Sequence, residues 1–96
     1  MAKLNETELA AAVDALAGWT IENGKLHREY TFPDFVHAFG FMATAAIAIE
    51  AMEHHPEWFN VWNRVVVDLT THDAGGITAK DLLLAGKLEE FAKRMQ

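Results

Sequence analysis

Cysteine is absent from the 96 residues, which excludes a disulfide framework, a thiolate nucleophile and a sulfur-ligated metal. Cations are few: 8 Lys and Arg stand against 14 Asp and Glu, a net charge of −6 with histidines neutral. The positive residues are scattered rather than clustered, so the chain offers no footprint for phosphate backbones, and direct nucleic-acid binding is not expected. No run of 18 or more apolar residues is present to span a bilayer, so no membrane partner is expected either. The N-terminal MAKLNETELAAAVDALAG lacks the unbroken apolar stretch of a signal peptide, which makes a soluble, cytoplasmic protein the expectation. Repeats, low-complexity tracts and linkers are missing as well. A single domain over residues 1–96 follows, with 51% apolar and 23% charged residues, the balance of a chain that folds.

What is present reads as alternating helices and hairpins. The first helix is expected from about Glu6 to Ala17, with Asn5 as N-cap, Glu8 at capping-box spacing and Gly18 after its last apolar position. Trp19 to Phe32 reads as a hairpin about Asn23-Gly24, because both positions adopt positive φ cheaply. That turn pairs Glu22 with Lys25 and Ile21 with Leu26. Pro33 suits the start of a second helix, which carries two apolar stripes: Phe35, Phe39, Met42, Ala46 and Ile49, and Phe41, Ala45, Ala48 and Met52. A helix apolar on so many sides calls for cover beyond its own fold, and a second subunit is the expected source. Pro56 ends this helix near His54.

Trp58 to Val61 and Arg64 to Thr71 read as a second hairpin turning at Trp62-Asn63, and THDAGG reads as a loop. Thr78 caps a last helix, with Asp81 at the third position and Leu84, Leu88, Phe91 and Met95 on its core side. The expected fold is therefore α+β: a two-layer sandwich with three helices on one face of a four-stranded antiparallel sheet, in the order α-β-β-α-β-β-α.

Chemistry concentrates in EAMEHHPEWFNVWN, residues 50–63. His27 and His37 lack an acid/base constellation and read as solvated or packing residues. His54 and His55 lie at a helix terminus and His72 where a strand enters a loop, the places where a scaffold presents side chains. Glu50, Glu53 and His54 share a helix face. The carboxylates and helix carbonyls favour a protonated ring while burial opposes it, a tension that can hold an imidazole near neutrality. A metal site from His54, His55, His72 and Glu50 competes, but adjacent histidines diverge on a helix and no HExxH spacing occurs, so no metal is expected.

An acid, three residues, His-His-Pro, five residues, an aromatic, nine residues, a His and a later Asp read here as Glu50, His54-His55-Pro56, Trp62, His72 and Asp81. With DFVHAFGFM, HHPEWFNVWN and LTTHDAGGIT, this resembles the pterin-4a-carbinolamine dehydratase family from about Leu16 onward. The resemblance implies dehydration of 4a-hydroxytetrahydropterin to quinonoid dihydropterin, which recycles the pterin cofactor of aromatic amino-acid hydroxylases. It implies a pterin substrate, no metal or organic cofactor, and a homodimer or homotetramer; some members also serve as dimerisation partners of a homeodomain transcription factor. By the family's pattern His55 and His72 form the principal acid/base pair, His54 assists at the 4a-hydroxyl and Glu50 orients a histidine. Substrate contacts fall on Glu53, His54, His55, Thr70, Thr71, His72 and Asp73, with Trp19 closing the pocket. Glu53, Trp62, Thr70 and Asp73 depart from the commoner family residues but keep charge, polarity or aromaticity. The chemistry asks for one acid and one base and no redox centre, which matches the residues on offer. The alternative is a non-catalytic dimerisation or regulatory module of the same fold.

Overall fold

The computed structural model describes residues 2–96; Met1 lies outside them. The elements are α1 (Glu6–Ala15), β1 (Thr20–Glu22), β2 (Lys25–Thr31), α2 (Phe35–Met52), β3 (Glu57–Val61), β4 (Arg64–Leu69), a 3-10 turn at His72–Ala74 and α3 (Ala79–Met95). The strands form one antiparallel sheet in the order β1-β2-β4-β3. This is the α+β order expected from sequence.

Local chemistry accounts for the boundaries. Asn5 and Glu8 close a capping box on α1, and Thr78 and Asp81 close one on α3. Asn23 and Gly24 both take positive φ, which sets the expected register of Glu22 against Lys25 and Ile21 against Leu26. The spacing predicts α1 to Ala17, but the helix stops at Ala15 with Leu16 as its cap. Gly18 follows at φ 88°, a left-handed conformation that favours glycine, with the Arg28 guanidinium 2.7 Å from where a Cβ would lie. β4 ends at Leu69, two residues short of the expected Thr71, because Thr71 pairs instead with Gly76 across the loop.

Leu26, Tyr30, Val65, Val67 and Leu69 face inward from the two central strands and are fully or almost fully buried. Ala38, Phe41, Ala45 and Ile49 of α2 and Leu84, Ala85, Leu88 and Ala92 of α3 cover them. The buried side of α2 runs through Ala38, Phe41, Ala45 and Ile49, so it takes Phe41 and Ala45 from one of the two expected stripes and Ile49 from the other. Phe35 and Phe39 of the other are exposed, together with Val36 and Ile47. By length and composition alone α2 is long and apolar enough to cross a bilayer, although His37 and Glu50 interrupt its apolar run. Its inner side is nonetheless packed on the sheet and α3, as a core helix is. The opposite sheet face carries Lys25, His27, Glu29, Arg64 and Asp68.

Candidate active site

Two loops meet at one end of the sheet. Glu53 closes α2 in the left-handed conformation (φ 53°), its N–H bonding back to Glu50 and Ile49. Pro56 cannot prolong the helix, and β3 starts at Glu57, so His54 and His55 occupy a tight connector. β3 pairs antiparallel with β4, Glu57 opposite Asp68, so the start of β3 lies beside the end of β4. The chain leaving β4 therefore runs past the histidine pair. It turns at His72–Ala74, is closed by Gly75 at φ 74°, and returns where the Thr71 N–H bonds to Gly76 O at 2.9 Å. Between the loops lies a cleft of about 450 Å³ lined by Glu53, His54, His55, Pro56, Glu57, Thr70, Thr71, His72, Asp73 and Lys80.

Each of the three cleft histidines has Nε2 against a different carboxylate. His54, 9% exposed, donates to Asp81 Oδ1 at 2.5 Å. Asp81 is fully buried, and its Oδ2 accepts the Thr78 N–H and the Thr71 hydroxyl, each at 2.8 Å. Since the Thr71 proton goes to Asp81, the 2.8 Å contact between Thr71 and Thr78 has the Thr78 hydroxyl as donor. The Thr78 oxygen in turn accepts the Lys80 N–H. This chain locks the cleft wall to the start of α3. His55, exposed, donates Nε2–H to Glu50 Oε1 at 3.0 Å. His72, also exposed, has Nε2 3.1 Å from Glu57 Oε2. A carboxylate only accepts, so the hydrogen bonds of His54 and His55 keep their protons on Nε2 and leave Nδ1 as the nitrogen able to meet a ligand, while His72 stands at ion-pair distance from Glu57. Among the described residues, no three His, Asp or Glu side chains are grouped as a metal ion requires.

Residues 2–91 match the family model for pterin 4 alpha carbinolamine dehydratase. The chain belongs to the pterin-4a-carbinolamine dehydratase family. A relative in Solibacter usitatus named for this activity is 64% identical over 90 residues, 94% of this chain and 95% of the relative. Another, in Rhizorhabdus wittichii, is 48% identical over 92 residues, 94% of this chain and 95% of its own. A crystal structure from Brucella melitensis, described as a transcriptional coactivator/pterin dehydratase, superposes with a TM-score of 0.91 at 46% identity, covering 94% of this chain and 98% of that one. Membership places the chain among the hydro-lyases.

Set on the dehydratase fold, seven of the residues singled out from sequence line the cleft: Glu53, His54, His55, Thr70, Thr71, His72 and Asp73. Glu50 stands behind it, reaching His55 from the last turn of α2. Trp19, expected to close the pocket, does not line it. It is 2% exposed in the core, edge-on to Tyr30, with its indole N–H on Glu89 at 2.8 Å. The reason is that the turn after α1 directs it under the sheet towards α3. Trp62 is exposed at the far end of the β3–β4 hairpin, a whole strand (roughly 16 Å at the usual rise) from Glu57. Two lining residues escaped the sequence reading, Glu57 and Lys80. Glu57 directly follows His-His-Pro, and that adjacency was the available signal. Lys80 carried none.

Proposed function

We propose that this chain dehydrates 4a-hydroxytetrahydropterin to quinonoid dihydropterin by histidine acid/base catalysis, recycling the pterin cofactor of aromatic amino-acid hydroxylases in the cytoplasm. The observation carrying the reading is that three imidazoles from two distant segments share one cleft, each with Nε2 turned to its own carboxylate. In the elimination the C–O bond at the 4a carbon breaks with its electron pair as the hydroxyl takes a proton and departs as water. A ring N–H yields its proton, and the C=N bond forms from the electrons left behind. One imidazolium and one imidazole exchange roles, so the site's proton count is unchanged. His55 and His72 are the principal pair, and His54 assists at the hydroxyl. Glu50 orients His55. Glu53, Thr70, Thr71 and Asp73 supply polar partners for the pterin edge, a role that flat, polar-rimmed ligands require. Trp19 takes no part.

Stopped-flow dehydration of 4a-hydroxytetrahydropterin, with and without EDTA, tests this. Acceleration above the spontaneous rate that survives EDTA is expected. A rate equal to the spontaneous one contradicts the reading, and activity lost to EDTA contradicts its metal-free chemistry.

The exposed Phe35, Val36, Phe39 and Ile47 of α2 further support a homodimer or homotetramer, since a single helix face this apolar is an association surface. The same face favours a second reading, in which the chain also serves as a protein-binding module.

A further inference from the structure

Of the cleft histidines, His72 is the least restrained by its surroundings. It sits on a one-turn 3-10 segment with its side chain 76% exposed. An imidazole so placed would sample several rotamers and both tautomers unless something held it. Asp73 on its own turn, Lys80 from α3 and His55 from the connector share the cleft with it. Among the described residues, however, Glu57 alone forms an ion-pair contact with its ring.

The sheet register explains why Glu57 is there and what steadies it. Glu57 on β3 and His27 on β2 both pair with Asp68 on β4, so the three form one row across the outer face. Asp68 is occupied by His27 Nδ1 at 2.8 Å. Lys25, two residues before His27 and on the same face, reaches past it to donate to Glu57 Oε1 at 2.5 Å. Glu57 thus divides its oxygens, Oε1 to Lys25 and Oε2 to His72. The Lys25 hydrogen bond also holds its carboxyl below the usual carboxylate range, so it faces His72 as an anion that can only accept.

We propose that Glu57 is a positioning residue for the dehydration, fixing His72 as the Nε2–H tautomer with Nδ1 turned to the pterin, and that Lys25 steadies Glu57 from across the sheet. The proposal rests on the dehydratase reading and deepens it: the restraint on one catalytic imidazole comes from outside the spaced signature and is anchored on the solvent face of the sheet.

The test combines long-range proton–nitrogen NMR of the histidine rings with steady-state dehydration kinetics, on wild type, Glu57→Met and Lys25→Met. In the wild type the His72 nitrogen shifts should report the Nε2–H form. In Glu57→Met, which removes the acceptor, they should move towards the averaged shifts of a mobile imidazole, while His54, held by Asp81, keeps its wild-type signals. Turnover should fall roughly two- to fivefold, the scale an exposed ion pair can hold, with KM changed less than about twofold. Lys25→Met should shift both readouts in the same direction by less. Unchanged His72 shifts in Glu57→Met overturn the proposal whatever the kinetics. Changed shifts with unchanged turnover overturn its catalytic part. A wild type that dehydrates no pterin overturns the dehydratase reading instead, and the ring spectra still decide whether Glu57 sets the tautomer.

Discussion

At the scale of single residues, Asp81 has two roles and the sequence discloses only one. Three positions after Thr78 it reads as a capping-box acid, and it is one: Oδ2 takes the Thr78 N–H. Its other oxygen meets His54, 27 residues away, and no periodicity in the sequence joins the two. Both residues were visible as candidates, but their pairing depends on β3 and β4 bringing the loops together. Asp81→Ala should destabilise the fold by about 3 kcal/mol, since it leaves a buried ring and two donors without an acceptor. Urea denaturation checks this. Asp81→Asn keeps the volume and an acceptor; it should cost less stability yet still lower turnover, because an amide holds the ring without a charge. Wild-type turnover in Asp81→Asn would show that the dyad is purely structural. Trp19 was misread for a related reason: its partner, Glu89, lies 70 residues on.

At the scale of elements, that same Glu89 fastens α3 to the sheet. Its Oε1 accepts from the Trp19 indole at 2.8 Å, the Tyr30 hydroxyl at 2.8 Å and Arg28 Nε at 2.9 Å, while the Arg28 guanidinium lies over the Tyr30 ring. Burial pushes the Glu89 carboxyl up, but the bonds from Arg28, Tyr30 and Trp19 outweigh it and hold the group below its ordinary value of 4.5. The folded value is thus lower than the unfolded one. The stabilisation is complete above the unfolded value and is lost as pH falls through the folded one. Melting temperatures taken from pH 7 downward should therefore drop more steeply below about pH 4.5 in the wild type than in Glu89→Gln. Parallel curves would contradict the assignment. Hairpins and caps were legible because turn and cap chemistry is local: Asn23-Gly24 alone sets a register. The sidedness of α2 was not, since apolar residues surround much of the helix and only packing on the sheet and α3 selects the side through Ala38, Phe41, Ala45 and Ile49, which cuts across both expected stripes.

At the scale of the whole molecule, α2 is about 27 Å long at the usual rise and turns one apolar side to the core and another outward. Phe39 is 57% exposed and Ile47 76%. Light scattering at micromolar concentration should find a dimer or tetramer, and Phe39→Glu should reduce its mass while the monomer fold persists by circular dichroism. A monomeric wild type would remove the case for association through this helix.

The central claim is that the cleft imidazoles move the protons. Stopped-flow dehydration by His55→Ala and His72→Ala, each checked for wild-type circular dichroism, tests it most directly. Each variant should lose at least about tenfold in rate, the low end of what a positioned acid or base contributes. Near-wild-type rates in both folded variants would contradict the account.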